Sequence, residues 1–242
     1  MRKYFYDMHI HSCLSPCGDD DMTPANIAGM AAINGLNIVA LCDHNTVKNC
    51  PAFFHACKAN GIIPIAGMEL TTAEDIHIIC LFKSLDAAVG FGEQVDKNRN
   101  LIPNRTDIFG NQYIIDSDDN IAGTDENLLP NATNLTLEQG VCLCRSLGGV
   151  CYPAHVDRQA NGIIATLGTF PDEPHFSCVE FNCAENIEPY LQKYPNLRDK
   201  KIIVSSDAHY LWNINEADNS FELDDEPYSS TLVRERLFEV IG

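Results

Sequence analysis

Histidines and carboxylates in this chain stand in pairs and next to short apolar runs, a pattern typical of metal ligands. The segment Asp7-Met8-His9-Ile10-His11 closes the first apolar run. Residues two apart on an extended chain point to the same side, so His9 and His11 can converge on one cation. A His-x-His pair is a weak signal by itself, because solvated and packed histidines also produce it. The remaining ligand-type residues therefore decide the interpretation.

Ligand-type residues also accompany nearly all of the remaining predicted strands. They are His44 after the second strand, Glu69 after the third, His77 within the fourth, His155 after the fifth, and Asp207 and His209 after the last. Only two of the eight histidines, His55 and His175, lie outside this pattern, and we interpret them as surface or packed residues. Imidazole and carboxylate without thiolate suit zinc, iron or manganese, and these donors exceed the about three or four that one zinc takes from protein. The residues alone predict a multinuclear site.

The apolar runs that position these residues alternate with helical patterns. Seven strands are predicted, at 4–8, 37–42, 62–68, 76–82, 150–154, 178–183 and 201–206. This alternation favours a parallel sheet with helices outside it, and the number of strands is close to that of a barrel. Reacting groups in such barrels come from the carboxyl ends of the strands. His77 lies near the start of its run, so the fourth strand must cross the mouth differently, which predicts an irregular barrel.

The alternation fails between about residues 84 and 134. The stretch 104–134 is polar and too long for a plain connection. Two short apolar runs within it, at 112–115 and 120–122, predict a small hairpin. We expect an insertion that folds over the domain, either as an active-site lid or as a passive surface excursion. A second acidic stretch, 216–226, is interpreted as a solvated loop.

Composition excludes several classes of protein. Hydrophobic residues make up 45% and charged residues 21%, which excludes disordered, collagen-like and coiled-coil chains. The formal net charge of −18 disfavours binding to long nucleic acids. Eleven cysteines without repeated CxxC spacing indicate reduced thiols, and we interpret Cys13 and Cys17, beside His11, as packing or incidental thiols. With no signal-type or membrane-length apolar run, we expect a cytoplasmic protein without a membrane partner.

The order of these motifs resembles the PHP family, named for polymerase and histidinol phosphatase. The resemblance rests on Asp7-x-His9-x-His11, Asp43-His44-Asn45, Gly67-x-Glu69, His77, Pro153-Ala154-His155 and Ser206-Asp207-x-His209. It implies an α/β fold, a distorted (β/α)7 TIM-like barrel, with residues 1–242 as one domain and an insertion at about 84–134. It also implies a metal-dependent phosphoesterase.

The resemblance further implies the ligands of three divalent ions, of zinc, manganese or iron. The first ion would be held by His9, His11, Glu69 and Asp207, the second by Glu69, His77 and His155, and the third by His44 and His209. The remaining ligand of the third ion would be Asp19, with Asp20 as a competitor because the loop before it is longer than in relatives. Asp7 and Asp43 would orient the neighbouring imidazoles.

The expected reaction is hydrolysis of a small-molecule phosphate ester, a nucleotide or phosphorylated metabolite, by metal-bound hydroxide. Glu69, Asp207 and His209 are expected at the reacting centre. Two alternatives stay open, a metal-binding regulatory module without turnover and a nuclease acting on short oligonucleotides. No feature of the sequence sets an oligomeric state.

An arginine near the metal ions would complete phosphate recognition by a bidentate contact. Arg158 follows the fifth strand closely and is the best-placed candidate for substrate binding. Arg99 and Arg105 flank the insertion and are second choices.

Overall fold

Each predicted apolar run forms a strand, and the strands are largely buried. The computed structural model describes residues 1–242. Its strands are β1 (Arg2–Ile10), β2 (Ile38–Leu41), β3 (Ile63–Thr71), β4 (His77–Phe82), β5 (Tyr113–Ile115), β6 (Ile121–Thr124), β7 (Val150–Pro153), β8 (Cys178–Phe181), β9 (Lys201–Val204) and β10 (Ser220–Leu223).

Six of the strands form one mixed sheet in the order β10-β1-β2-β3-β4-β7, and β8 pairs with β9 in parallel. Backbone hydrogen bonds connect this pair to both flanks of the large sheet. Val156 N, just past β7, donates to Glu180 O at 2.8 Å, and His11 N, just past β1, donates to Ala208 O at 3.0 Å. The result is a mixed α/β fold on a curled sheet.

The direction of β4 explains the unusual position of His77. Strands β1, β2 and β3 run parallel, whereas β4 is antiparallel to both β3 and β7. His77, the first residue of β4, is therefore paired with Thr71, the last residue of β3. The prediction that the fourth strand crosses differently from its neighbours is confirmed, and this strand departs from a regular (β/α)7 pattern.

Eight helices accompany the sheet. They are α1 (Pro24–Ile33), α2 (Cys50–Asn60), α3 (Leu85–Asp96), α4 (Thr106–Phe109), α5 (Leu137–Ser146), α6 (Ile163–Leu167), α7 (Ile187–Lys193) and α8 (Ser230–Ile241). The longest contain 12 residues, and none is long and apolar enough to cross a bilayer.

The core has two large apolar clusters because successive side chains of a strand point to opposite faces. Val39 and Leu41 of β2 join the cluster that packs against α1, α2, α3 and α5. Ile38 and Ala40 of the same strand join the second cluster, on the other face of the sheet, together with α8. The polar residues at the ends of the strands belong to neither cluster, so they are available to form a functional site.

Two segments outside the regular alternation have defined structure. The predicted hairpin is confirmed as the antiparallel pair β5 and β6. The interpretation of 216–226 as a solvated loop was wrong, because β10 lies within it and pairs with β1. Phe221 stacks on Tyr6 with ring centroids 4.2 Å apart, and Leu223 is buried. The surrounding acids masked this alternation of apolar and polar residues, which is typical of a half-buried edge strand.

Candidate metal centre

The carboxyl ends of the parallel strands and the start of β4 meet at one edge of the sheet. Eight predicted ligand residues converge there: His9, His11, His44, Glu69, His77, His155, Asp207 and His209. All except His209, which is partly exposed, are buried. Residues far apart in the sequence thus form one cluster.

Glu69 lies at the middle of this cluster. Its Oε1 atom is 2.7 Å from Nδ1 of His77 and 3.0 Å from Nε2 of His155. Its Oε2 atom is 2.9 Å from Nδ1 of His44 and 3.3 Å from Nε2 of His11. Both oxygens therefore face imidazole nitrogens, the arrangement expected of a bridging carboxylate.

Ligand atoms form three groups whose members lie within 4.8 Å of one another. The groups are His9, His11, Glu69 and Asp207; His44, Glu69 and His77; and His11, His44 and His209. The first coincides with the ligand set that the family resemblance implies for one ion. The second group has His44 where the resemblance implied His155, which belongs to none of the three groups although its Nε2 lies 3.0 Å from Glu69 Oε1. The third group adds His11 to the implied His44 and His209.

Buried neighbours fix the ring orientations of His9 and His11. Glu180 Oε1 lies 2.9 Å from Nδ1 of His9, so this nitrogen carries the proton that the carboxylate accepts. Ser15 Oγ donates to Asp43 at 2.7 Å and therefore accepts from Nδ1 of His11 at 2.9 Å. In the neutral tautomers both Nε2 atoms then carry lone pairs, yet they face each other at 3.0 Å. Such a contact is repulsive unless a cation or a proton lies between the nitrogens.

Several buried polar atoms of the cluster make no contact with hydrogen-bond geometry, although two of them, Glu69 Oε2 and His44 Nδ1, lie 2.9 Å apart. They are Glu69 Oε2, His44 Nδ1, His155 Nδ1 and Asp207 Oδ1. Buried polar atoms are normally satisfied, so orphaned donor atoms that converge indicate a site for an ion. A mixture of nitrogen and oxygen donors suits zinc, iron or manganese. The residues present therefore fit divalent cations.

Without metal, the cluster is a network of opposed charges. Burial acts to raise the pKa of Glu69, but the charges of His77 and His9 hold that pKa well below its usual value. Burial acts to lower the pKa of His9, but Glu180 and Asp207 raise it well above its usual value. In the metal-free chain, protons on the histidines compensate the charge of the carboxylates. Metal ions must displace these protons in order to bind.

Two ligand positions have strained backbone. His155 has φ of 27° and Asp207 has φ of 52°, the left-handed region that residues other than glycine seldom adopt. Each such conformation costs about 1–3 kcal/mol and persists where the surrounding structure imposes it, often at functional sites. Both strained residues contribute to the same cluster, which supports its functional role.

The predicted carboxylate ligand of the third ion lies outside the cluster. Asp19 Oδ1 accepts the backbone N–H of Asp21 at 2.9 Å, and the exposed Asp20 accepts the side-chain amide of Asn111 at 2.9 Å. Neither aspartate belongs to a ligand group. The backbone of Asp19 nevertheless lies beside His209, because its N–H donates to His209 O at 2.9 Å, so the role of Asp19 as a ligand stays a prediction.

The two cysteines of this loop differ in their surroundings. Cys13 is buried as a packed thiol, whereas Cys17 is exposed. Burial acts to raise the pKa of the Cys17 thiol, but the charges of His44 and His209 outweigh it and lower the pKa to about 5. Neither cysteine belongs to a ligand group, and their interpretation as packing or incidental thiols stays a prediction.

The residues that orient the imidazoles differ from those implied by the family resemblance. Asp7 is buried and accepts the backbone N–H of Ser206 at 3.1 Å, and Asp43 accepts from Ser15; neither contacts an imidazole. Glu180 and Ser15 contact the rings instead, and sequence reasoning missed both. Glu180 is the single acid in the apolar strand β8, which was a usable signal. Ser15 gave none.

Of the three candidate arginines, only Arg158 reaches the cluster. It lines a cavity of about 140 Å³ above the ligands, pairs with Asp207, and exposes 48% of its side chain. Arg99 is instead bound to Asp125 by two contacts of 3.0 Å within the insertion. Arg105 is exposed and paired with a nearby aspartate.

Comparison with known proteins agrees with this geometry. The family model for the PHP domain matches residues 7–139, more than half of the chain. A 5′-3′ exoribonuclease of Haemophilus influenzae is 37% identical over 79 residues, which are 31% of this chain and 28% of the exoribonuclease. The chain thus spans less than a third of that relative.

Solved structures share the fold at low identity. The lesion-specific Endonuclease Q of Pyrococcus furiosus aligns with a TM-score of 0.69 and 18% identity, over 99% of this chain and 56% of the endonuclease. A protein of Bifidobacterium adolescentis assigned as a metal-dependent phosphoesterase aligns with a TM-score of 0.59 and 18% identity, over 97% of this chain and 96% of that protein. This chain spans about half of Endonuclease Q.

These structures correct the prediction that long nucleic acids are excluded as partners. An Endonuclease Q structure with a TM-score of 0.67 and 17% identity, over 100% of this chain and 57% of the endonuclease, holds a 27-mer duplex substrate with an abasic lesion at the active site. The prediction failed because net charge describes the whole surface, whereas bound cations set the field at the site. The motifs, the ligand cluster and the family model agree, and the chain belongs to the PHP family.

Proposed function

We propose that this chain is a metal-dependent phosphoesterase whose reacting centre is the cluster around Glu69. The observation that carries the proposal is the convergence of buried nitrogen and oxygen donors with unpaired lone pairs beside an exposed arginine. Divalent ions bound there would lower the pKa of water and stabilise negative charge on phosphoryl oxygens. The number of ions is proposed as three, as the family resemblance implies.

The chain's own residues hold the ligands and receive the substrate. His9, His11, Glu69 and Asp207 would hold the first ion, Glu69, His77 and His155 the second, and His44 and His209 the third. Both oxygens of Glu69 face imidazole nitrogens, so this carboxylate would serve the first and the second ion together. Glu180 keeps Nε2 of His9 directed at the cluster, and the backbone carbonyl of Asp207, 2.8 Å from Nδ1 of His209, does the same for that ring.

Arg158 is proposed as the group that binds the phosphate. In the free chain its guanidinium pairs with Asp207 at the edge of the cavity. Cations at Asp207 would neutralise that carboxylate and weaken the pair. The half-exposed guanidinium is then free to turn toward a phosphate and bind it through two N–H groups.

Two substrate classes fit this centre. A nucleotide or phosphorylated metabolite fits the small cavity of about 140 Å³. An oligonucleotide is favoured by a different observation, the aromatic pair next to His209. Tyr210 and Trp212 stack with ring centroids 4.8 Å apart, and Trp212 is 75% exposed, so one ring face is available for a base. The similarity to an exoribonuclease also supports this second candidate.

We also propose that residues 1–242 form one domain and that the 84–134 insertion is a fixed wall of it. Asn49 Nδ2 donates to Tyr113 O at 3.0 Å and its Oδ1 accepts from Ile115 N at 2.9 Å, which fastens β5 to α2. Asp125 binds both Arg99 and Lys48. These buried contacts favour a passive wall over a mobile lid. All eleven cysteines are unpaired, which fits the proposal of a reducing, cytoplasmic location.

The test compares purified chain with Glu69→Gln and with the control Glu138→Gln, whose residue is exposed on α5. Metal content is measured per chain, and activity is assayed on p-nitrophenyl phosphate, mononucleotides and end-labelled oligonucleotides. We expect Glu69→Gln to lower kcat/KM by at least about 100-fold and the control to leave it unchanged. Preference for oligonucleotides would select the nuclease candidate. Retained metal with no hydrolysis of any ester would refute the proposal and favour a binding module.

A further inference from the structure

A second cavity lies where the end of α2, the start of β3 and the start of α8 meet. Its volume is about 320 Å³, at the lower end of the range of about 300–1,000 Å³ that is typical of small-molecule sites. Ile63, the first residue of β3, lines it, whereas Glu69 lies near the other end of that strand, about 20 Å away. This cavity shares no residue with the one above the metal ligands.

Much of the lining of this cavity is apolar. Phe54 of α2 and the consecutive residues Ile62, Ile63 and Pro64 contribute to it. Tyr228, which is 63% exposed, adds a second aromatic ring. An apolar lining of this kind takes up the body of a ligand, and polar groups beside it fix the ligand's orientation.

The charged groups that line the cavity are both cations, Lys58 and Arg234, and no carboxylate is among them. Arg234 Nε is buried without a hydrogen-bond partner, and a terminal nitrogen of the same group donates to Thr231 Oγ1 at 3.3 Å. Burial lowers the pKa of this guanidinium, and no neighbouring acid acts against it. In a chain with 16 basic and 34 acidic residues, two cations without an acid are unexpected. Their charge favours an anion supplied from outside the chain.

We propose that this cavity binds a small anion with an aromatic body, its acid group beside Arg234 and Lys58 and its ring against the apolar lining. A guanidinium binds phosphate-type and carboxylate groups through two N–H donors, and the ammonium adds a point charge. Ser230, the first residue of α8, also lines the cavity, so the positive end of this helix adjoins the acid group. Phe54 and Tyr228 favour a planar ring, because aromatic rings stack on one another.

The proposal is independent of the metal cluster, so its test needs no turnover. Phenylphosphonate is the probe, because its phosphorus–carbon bond replaces the ester that a phosphoesterase would cleave. Binding to the full chain is measured by isothermal titration calorimetry. Inorganic phosphate and benzyl alcohol are the comparison probes, since they carry only an acid group or only a ring. We expect saturable binding of phenylphosphonate, and Kd values at least about tenfold higher for the two comparison probes. Absence of saturable binding, or equal affinity for inorganic phosphate, would overturn the proposal.

Variants locate the bound probe. Arg234→Gln should raise the Kd of phenylphosphonate at least about tenfold, because a charged hydrogen bond is lost. Lys58→Gln, at an exposed position, should raise it about two- to fivefold. Arg236→Gln is the matched control, because Arg236 lies on the same helix and pairs with Glu239 at 2.8 Å. We expect this control, and Arg158→Gln at the metal cluster, to bind the probe as the wild type does. Unchanged Kd values in both Arg234→Gln and Lys58→Gln, or a loss of binding in Arg158→Gln alone, would overturn the proposal.

Discussion

Replacing Glu180 by glutamine tests whether a buried carboxylate prepares His9 for metal binding. Glu180 is fully buried, and its Oε1 lies 2.9 Å from Nδ1 of His9 and accepts the backbone N–H of His155 at 3.2 Å. Glutamine has nearly the same volume and keeps an oxygen that can accept both hydrogen bonds. The substitution therefore removes the negative charge while preserving the packing.

The size of the effect follows from the burial of this contact. Changing a group that orients a ligating histidine costs about 10–100-fold in metal affinity, or about 1.4–2.7 kcal/mol. We expect the upper half of this range, because both side chains are fully buried and water cannot replace the lost charge.

The loss of affinity should also depend on pH. Against the effect of burial, Glu180 raises the pKa of His9, so in the wild type protons compete with metal at that ring as the pH falls. Glutamine lowers this pKa and reduces the competition. The ratio of mutant to wild-type Kd should therefore be largest in alkaline solution and decrease as the pH falls through the range in which wild-type His9 is protonated.

The assay is competitive titration of Zn²⁺ against a chelating dye over a series of pH values. Glu185→Gln is the matched control, because Glu185 follows the same strand but is exposed and bonded only to Cys183. We expect the control to bind metal as the wild type does. A Kd for Glu180→Gln within about twofold of the wild type, below the effect typical of such groups, would refute the argument. An equal loss of Zn²⁺ affinity in Glu185→Gln would show that the change in net charge, and not the contact with His9, causes the effect.

Four further outcomes are expected. Removing metal by chelation should lower Tm by about 5–11 °C from its value at free metal of about 100 times Kd, because that binding contributes about 2.7 kcal/mol; an unchanged Tm in calorimetry would contradict this. Gly67→Ala should destabilise the fold by about 1–3 kcal/mol in urea unfolding, because the new Cβ would lie 2.7 Å from Cys42 Sγ. Gly29→Ala has open space around it and should stabilise the fold by about 0.5–1 kcal/mol. The opposite order of stabilities would refute this account of packing. Arg158→Ala should raise KM for phosphate esters more than it lowers kcat, and an unchanged KM in steady-state kinetics would remove Arg158 from phosphate binding. Arg99 and Lys48 lower the pKa of Asp125 from 3.8 to about 2 despite its burial. The ion pair therefore stabilises the fold fully at pH values above 3.8, and this stabilisation is lost as the pH falls through about 2. In urea unfolding, the difference in free energy of unfolding between the wild type and Asp125→Asn should shrink over that pH range, and a constant difference would contradict the pairing.

The sequence predicted most of the strands and the ligand-type residues near their ends because both follow from short-range patterns. That the fourth strand crosses differently was predicted from one residue, His77, whereas its antiparallel direction is visible only in the structure. The conformation of the loop between β1 and α1 could not be predicted from such short-range patterns. Where the side chains of residues 12–22 point depends on how this loop folds back on Ser12 and His209, and these are backbone contacts that residue types do not encode. The orienting role of Glu180 required a strand pairing, β8 beside β7, that becomes visible only in three dimensions.

The acidity of the chain and its proposed action on an anion are compatible because they operate at different distances. A net charge of −18 raises the local concentration of cations around the molecule and repels free phosphate. At the cluster, the buried carboxylates Glu69 and Asp207 lie where protonated histidines compensate their charge, and cations bound there would replace those protons. The nearest charges that a substrate meets would then be positive, and Arg158 would add to them from the rim. Surface charge by itself therefore does not determine whether the substrate is a small ester or a nucleic acid.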